Sequence, residues 1–262
     1  MTGARTTMLA TLRGAIGRLE AGLSPRPRAA LGHAEVDAAL QGGLACGAIH
    51  EVFAEAGRQT AAATGFVAAV ARRVMRRRPL LWVRQDFAAL ETGGLSMSGL
   101  AELGLDPRAV IVVRAADAAA ALRVAGDALA CDALGAMVME TWGEVRALDL
   151  VASRRLTLAA QQGGVTGLLL RLSAQPAAST AETRWLVRAA PSPPQPDWLP
   201  WGAPVFDVEL VRNRHGLTGR WIMEWNSNEC LFREPAAHPQ PVAAAIADRP
   251  AETPVRPWRR AG

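Results

Sequence analysis

The sequence predicts an α/β protein whose mainly parallel sheet is flanked by helices. Between about residues 31 and 190, short strand-like runs alternate with longer helical runs, which is the pattern of successive βαβ units. Several of the short runs are apolar at nearly every position, as expected of strands that are covered on both faces. Hydrophobic residues make up 50% of the 262-residue chain, which is enough to form a sizeable core.

Strands and helices follow one another in a regular order along this region. The predicted strands cover residues 48–53, 80–84, 109–113, 136–140, 166–172 and 183–188. The predicted helices cover residues 60–77, 117–130 and 145–162, the last with apolar residues at helical spacing. After a proline-rich hinge at residues 191–204, the runs 205–213 and 218–225 flank a His-Gly pair. They predict a hairpin at the edge of the sheet.

The N-terminal segment predicts a separate amphipathic helix over residues 8–20. Its apolar stripe consists of Leu9, Leu12, Ile16 and Leu19, at the spacing of one helix face. A Ser-Pro-Arg-Pro-Arg run at residues 24–28 then breaks the pattern, as a linker does. We expect this helix to dock either on its own domain or on a partner.

The C-terminal region is rich in alanine and proline and contains Trp258, Arg259 and Arg260 near its end. It has few apolar residues to bury, so it predicts disorder. The expected organisation is an N-terminal amphipathic helix, a core domain with a C-terminal hairpin, and a Pro/Ala-rich disordered tail. These regions cover residues 1–23, 24–232 and 233–262.

Every basic residue in the chain is an arginine, since Lys and Arg together number 29 and no lysine is present. A GC-rich genome is the simplest source of this bias. Any mechanism that requires a lysine ammonium is nevertheless excluded for the chain acting alone. The net charge is +5 and the isoelectric point about 10.6, which suits a protein that works near nucleic acid.

Cysteine usage and hydropathy indicate a cytoplasmic protein. Cys46, Cys131 and Cys230 lie far apart and form no CxxC pair, so neither a disulfide framework nor a zinc site is expected. No apolar run reaches the roughly 18 to 20 residues of a membrane span, and the N-terminus lacks the pattern of a secretory signal. The histidines lie at neither metal-ligand nor triad spacing, so no catalytic or metal-binding residue is predicted.

The most informative stretch runs from residue 32 to residue 65. A Val-Asp-Ala-Ala-Leu run at residues 36–40 is followed by Gly42-Gly43-Leu44, then by Gly47 and by a strand that contains Glu51 and Phe53. This order resembles the segment that leads into the phosphate loop of RecA-family recombinases. The resemblance implies a RecA-like core.

The phosphate loop itself is degenerate. A working loop continues G-x-x-x-x-G-K-[ST], in which the glycines wrap the phosphates, the lysine neutralises their charge and the hydroxyl helps to hold magnesium. On the simplest alignment, Ala54 and Gln59 replace the two glycines, Thr60 replaces the lysine and Ala61 replaces the hydroxyl. The sequence therefore predicts neither a nucleotide cofactor nor catalysis.

Gly57 and Arg58 lie inside this degenerate loop. Arg58 is either a solvated loop arginine or an anion contact at the following helix. The strand at residues 136–140 ends in Glu140, where RecA-like proteins place the Walker B aspartate. Without a loop lysine and hydroxyl, we interpret Glu140 as vestigial or structural.

Four further segments bear on DNA binding. The connections at residues 141–144 and 173–182 are short beside the DNA-contacting loops of recombinases, which argues against recombinase-style DNA binding. Residues 212–219 resemble the Asn-Arg-Gly hairpin that closes the recombinase core, and an ordinary solvated turn explains them equally well. A set of arginines ends the helix at residues 60–77, where cations either complement the helix dipole or form a patch for phosphate or an acidic partner. They are Arg72, Arg73, Arg76, Arg77 and Arg78.

Taken together, the degenerate core, the Trp-rich second half and the basic, proline-rich tail are similar to the ImuA family over about residues 8–232. This resemblance implies a non-catalytic accessory role in SOS-response, damage-induced mutagenesis. The implied partners are an ImuB-like Y-family adaptor and an error-prone C-family polymerase, with RecA a further candidate and direct DNA contact left open. The implied location is the cytoplasm, at the nucleoid when the protein is active.

Two other functions remain open from the sequence. One is an SOS-type inhibitor of cell division, a class with similarly degenerate RecA-like relatives that are usually shorter. The other is an atypical P-loop ATPase, against which the missing lysine argues. For an adaptor, the candidate partner-binding residues are Leu9, Leu12, Ile16 and Leu19 in the helix and Trp258, Arg259 and Arg260 in the tail.

Overall fold

The structure is a computed structural model that describes residues 11, 26–55, 57–192 and 202–235. Its strands are β1 (Arg28–Ala29), β2 (Leu44–Ala45), β3 (Ile49–Ala54), β4 (Leu80–Gln85), β5 (Val110–Ala115), β6 (Ala136–Trp142), β7 (Thr166–Leu172), β8 (Thr183–Ala189), β9 (Val205–Asn213), β10 (Gly219–Asn226) and β11 (Leu231–Arg233). Its helices are α1 (Ala34–Ala39), α2 (Thr60–Val74), α3 (Asp86–Thr92), α4 (Met97–Glu102), α5 (Ala118–Leu129) and α6 (Leu150–Gly163). Single 3₁₀ turns cover Gly57–Gln59 and Pro107–Ala109.

One large sheet organises the described residues. Its order is β11-β10-β9-β8-β3-β7-β6-β4-β5, and β1 and β2 form a separate two-stranded sheet. The strands from β8 to β5 in this order pair in parallel, whereas β9, β10 and β11 extend the sheet in antiparallel pairs. The predicted mainly parallel sheet and its edge hairpin are confirmed. β11 adds a third antiparallel strand that was not predicted.

Helices cover both faces of the parallel part of the sheet. On one face, Phe66 and Val70 of α2 belong to the same buried cluster as Val52 of β3 and Leu170 of β7. On the other face, α5 and α6 bury alanines and Leu156 against Met137 and Leu169. Burial on both faces explains why these strands are apolar at nearly every position. The fold is therefore an α/β fold of the RecA-like class, as predicted.

Local capping explains where two predicted boundaries differ from the structure. The helix expected at residues 145–162 begins at Leu150, because the Asp149 side chain accepts a hydrogen bond from the Ala152 amide at 2.8 Å and caps it. The strand expected at residues 109–113 is displaced to Val110–Ala115 by the preceding 3₁₀ turn. The short elements α1, α3, α4, β1 and β2 were not predicted, because two to seven residues carry too little periodicity.

The turn between β9 and β10 packs on the core. The Asn213 side-chain amide donates to the carbonyl of Ala39, at the end of α1, at 2.9 Å. A Cβ atom at Gly216 would lie 2.2 Å from that same carbonyl oxygen, so a side chain there would force the turn away. The turn is therefore packed against the end of α1, while Arg214 within it is exposed. None of the helices in the described ranges is long and apolar enough to cross a membrane.

Candidate functional site

The segment predicted to be a degenerate phosphate loop forms a tight connection between β3 and α2. β3 lies in the middle of the parallel sheet, between β7 and β8, and all six of its residues are buried, ending at Ala54. The chain then passes through the 3₁₀ turn of Gly57, Arg58 and Gln59 and enters α2 at Thr60. The strand, turn and helix therefore follow in the order of a phosphate-loop unit, at the carboxyl end of the central strand.

This turn packs against the end of β8. The Gln59 side-chain oxygen accepts a hydrogen bond from the Ala189 amide at 2.8 Å. Glu55 forms a partly exposed ion pair with Arg188 at 3.3 Å, while Arg58 is exposed. The cavity beside the turn has a volume of about 120 Å³, well below the roughly 300–1,000 Å³ typical of small-molecule sites.

The two positions that matter most for phosphate and magnesium carry no charge. The Thr60 hydroxyl, at the position of the lysine, is buried and has no hydrogen-bond partner in the described part of the chain. Ala61, at the position of the magnesium-binding hydroxyl, is exposed. Thr60 therefore supplies a neutral hydroxyl where a nucleotide site requires a cation. Ala61 supplies no oxygen where the site requires a magnesium-binding hydroxyl.

Glu140, at the predicted Walker B position, is hydrogen-bonded by side chains of β4. It is 1% exposed, and its carboxylate accepts hydrogen bonds from the Arg84 guanidinium at 2.8 and 2.9 Å and from the Trp82 indole at 2.9 Å. Arg84 lies directly opposite Glu140 in the parallel register. The same guanidinium donates to Thr92 at 2.8 Å and to the Gly93 carbonyl at 3.0 Å. The carboxylate is therefore half of a buried, bidentate ion pair that also holds the end of α3.

A second buried charge cluster lies on the opposite face of the sheet. The Glu51 carboxylate of β3 accepts from the Arg184 guanidinium of β8 at 2.9 Å and from the Ser179 hydroxyl at 2.7 Å. Neither cluster was predicted from the sequence, because each joins residues that lie far apart in the chain. The sequence feature that could have predicted such an ion pair is an acid near the carboxyl end of one predicted strand together with an arginine in another predicted strand, as with Glu140 and Arg84.

Most arginines at the end of α2 hold neighbouring loops. Arg72 donates to the Gly104 carbonyl at 2.8 Å, and Arg73 donates to the Ala30 carbonyl at 2.8 and 2.9 Å. A similar bond joins Arg78 to the Asp132 carbonyl. These bonds favour a structural role for this part of the cluster.

The candidate partner-binding residues lie outside the residues that the structure describes. They are Leu9, Leu12, Ile16 and Leu19 of the predicted N-terminal helix and Trp258, Arg259 and Arg260 of the predicted tail. Their partner-binding role stays a prediction from the sequence.

The fold and the connection after β3 define the class as a RecA-like α/β protein. No protein-family model matches the chain. It is 34% identical over 223 residues to Protein ImuA of Caulobacter vibrioides strain NA1000 / CB15N, in a match that covers 79% of the chain and 87% of that relative. Protein ImuA of a second strain, ATCC 19089 / CB 15, matches with the same identity and coverage. The chain belongs to the ImuA family.

Proposed function

We propose that this chain is a non-catalytic accessory protein of damage-induced translesion DNA synthesis. Membership of the ImuA family supports a role in the mutagenesis system in which ImuA and ImuB act. The observation that carries the non-catalytic part is the state of Glu140, whose carboxylate is already bound by Arg84 and Trp82. A carboxylate neutralised in this way is a poor ligand for magnesium.

The other side chains support the same proposal. Magnesium and nucleotide require a phosphate-neutralising cation and a hydroxyl at the start of the helix, and Thr60 and Ala61 stand at those positions. The chain contains no lysine that could substitute from elsewhere. Arg58 is two positions early and is exposed. The residues present therefore do not fit a magnesium–nucleotide complex, and we propose a pseudo-ATPase.

The test of this part is nucleotide turnover by the purified full-length chain. We expect no ATP hydrolysis above a blank and no magnesium-dependent nucleotide binding, because positioning and charge neutralisation are both missing. The control is Thr11→Val, a substitution far from the turn in sequence. Turnover that persists in this control and disappears in Thr60→Val would refute the pseudo-ATPase assignment.

The proposed partners are an ImuB-like Y-family adaptor and an error-prone C-family polymerase, with RecA a further candidate, in the cytoplasm and at the nucleoid when the protein is active. A protein without an ATP cycle cannot release its partners by hydrolysis, so the contact should be independent of nucleotide. The proposed contact elements are the apolar stripe of residues 8–20, a typical ligand for a hydrophobic groove, and the tail around Trp258. A tryptophan flanked by arginines has the composition of an interface hot spot.

Co-purification with the ImuB-like protein of the same genome tests the adaptor role. We expect full-length protein to retain the partner without nucleotide, and Leu12→Asp, Leu19→Asp or deletion after Pro235 to weaken retention. Thr11→Asp is the matched control, because it introduces the same charge off the apolar stripe. Equal retention by all variants would place the contact on the RecA-like body. If full-length protein retains nothing, the role as a cell-division inhibitor becomes the better explanation.

A further inference from the structure

Arg171 is a buried arginine whose Nε donor has no hydrogen-bond partner among the described residues. It lies near the carboxyl end of β7, is 3% exposed, and its Nε is buried without an acceptor. The guanidinium sits 5.5 Å above the centre of the Phe53 ring. Burial holds the pKa of Arg171 below its usual range. An arginine in this state is strongly unfavourable unless something accepts its hydrogen bonds.

The two carboxylates that act electrostatically on Arg171, Glu51 and Glu144, accept hydrogen bonds from other groups. Glu51 accepts hydrogen bonds from Arg184 and from a serine hydroxyl. Glu144 accepts from the Gln175 amide through one oxygen at 2.8 Å, and its other oxygen stays 3.9 Å from the Arg171 guanidinium. Neither carboxylate therefore forms a hydrogen bond to Arg171, and the positive charge of Arg184 lies on the same side of the sheet.

A second polar atom without a partner lies beside Arg171. Thr141 of β6 is directly opposite Arg171 in the parallel register, so the two side chains point to the same face. Thr141 is 1% exposed and its hydroxyl has no hydrogen-bond partner in the described chain. Adjacent strands thus present the Arg171 Nε donor and the Thr141 hydroxyl, both buried and both without a hydrogen-bond partner in the described chain.

Arg171 and Thr141 lie at a place in the sheet where α/β proteins commonly bind ligands. The connection after β3 runs toward β4, whereas the connection after β7 crosses to β8 on the other side of β3. The carboxyl ends of β3 and β7 therefore flank a topological switch point, where α/β sheets bind ligands. Leu170 and Leu172 face α2, so Arg171 faces the opposite side. The site is distinct from the degenerate phosphate loop.

We propose that Arg171 and Thr141 form a binding site for one phosphate-type oxyanion, supplied as free phosphate or as a phosphate group of nucleic acid. A forked guanidinium and a hydroxyl together match an anion that offers several oxygens. Glu144, which is 62% exposed, competes for the same guanidinium from the rim of the site. This inference does not depend on the proposed adaptor role.

Phosphate binding is tested by thermal unfolding of the full-length chain in inorganic phosphate and in chloride, at constant ionic strength and pH. At a phosphate concentration about ten times Kd, the folded-to-unfolded ratio should rise roughly 11-fold, a Tm increase of about 3–6 °C for a domain of this size. Arg171→Met should abolish the increase and Thr141→Val should reduce it. Glu144→Gln should enlarge it, because the competing charge is removed while an acceptor for Gln175 is kept.

Arg58→Gln is the matched control, and the phosphate response should survive in it. The proposal is overturned if phosphate and chloride act alike on wild-type protein, or if the response is lost in Arg58→Gln and kept in Arg171→Met. Should Arg171→Met fail to fold, phosphorus NMR line broadening with wild type and Thr141→Val decides the question. Displacement of phosphate by an oligothymidylate would identify nucleic acid as the source, and no displacement would identify free phosphate.

Discussion

Replacing Glu140 by glutamine should destabilise the protein severely, although Glu140 stands at a position associated with catalysis in related folds. Glutamine keeps the shape of the side chain, so no cavity forms. It removes the charge that pairs with Arg84 at 2.8 and 2.9 Å and turns an amide group toward the guanidinium. The side chains of Glu140 and Arg84 are 1% and 7% exposed, so water cannot replace the lost partner.

Breaking a buried ion pair by removing one partner costs about 3–5 kcal/mol. The Arg84 guanidinium keeps its bonds to Thr92 and Gly93, which favours the lower half of that range. For a domain of this size, the Tm should fall by about 6–16 °C. Urea unfolding followed by circular dichroism, with the midpoint and slope fitted together, measures the free energy directly.

Two further variants separate charge pairing from other effects. Arg84→Met combined with Glu140→Met should recover part of the loss, because an apolar pair of similar volume contains no unpaired charge. The recovery stays partial because the buried Trp82 indole loses its acceptor. Arg114→Gln breaks a pair of the same 2.8 Å length whose side chains are 68% and 40% exposed, and should cost about 1 kcal/mol or less. If Glu140→Gln lies within about 1 kcal/mol of wild type, the structural role assigned to this carboxylate is wrong.

Two other predictions concern pH and backbone space. Burial lowers the pKa of His50 from 6.5 to about 4. Below pH 6.5 the folded state therefore binds fewer protons than the unfolded state. About 3 kcal/mol of stability, present above pH 6.5, should be lost as the pH falls to 4. Urea midpoints measured across this pH range should show that loss in wild type. If the free energy of unfolding of His50→Asn falls equally steeply with decreasing pH, His50 is not the cause of the loss. Gly43→Ala should destabilise by about 1–3 kcal/mol more than Gly42→Ala, because both residues have positive φ but only a Cβ at Gly43 meets backbone, 2.4 Å from the Ala29 oxygen. Similar midpoints for the two variants would show that φ strain alone sets the effect.

Much of the fold followed from periodicity, because local patterns are set by local chemistry. The runs at residues 48–53, 136–140 and 166–172 predicted buried parallel strands, and each matches an observed strand to within two residues at either end. The helix at residues 145–162 was placed correctly but began at the wrong residue, since the Asp149 cap outweighed the apolar pattern before it. Two-residue strands such as β1 and β2 have no period, and they depend on a partner that lies elsewhere in the chain.

Some features of the candidate site were likewise predictable from the sequence, and others depended on the tertiary structure. Three properties belong to the sequence itself and need no coordinates: the chain's lack of lysine, the Thr60 and Ala61 substitutions, and the acid at the end of the predicted strand 136–140. That Glu140 meets Arg84, and that Arg171 lies beside Thr141 with no acceptor for its Nε, was decided by the tertiary structure. Both pairings depend on β6 lying between β4 and β7. Strand order and register arise from packing of the whole sheet. Local sequence patterns therefore do not predict which residues that are far apart in sequence become neighbours.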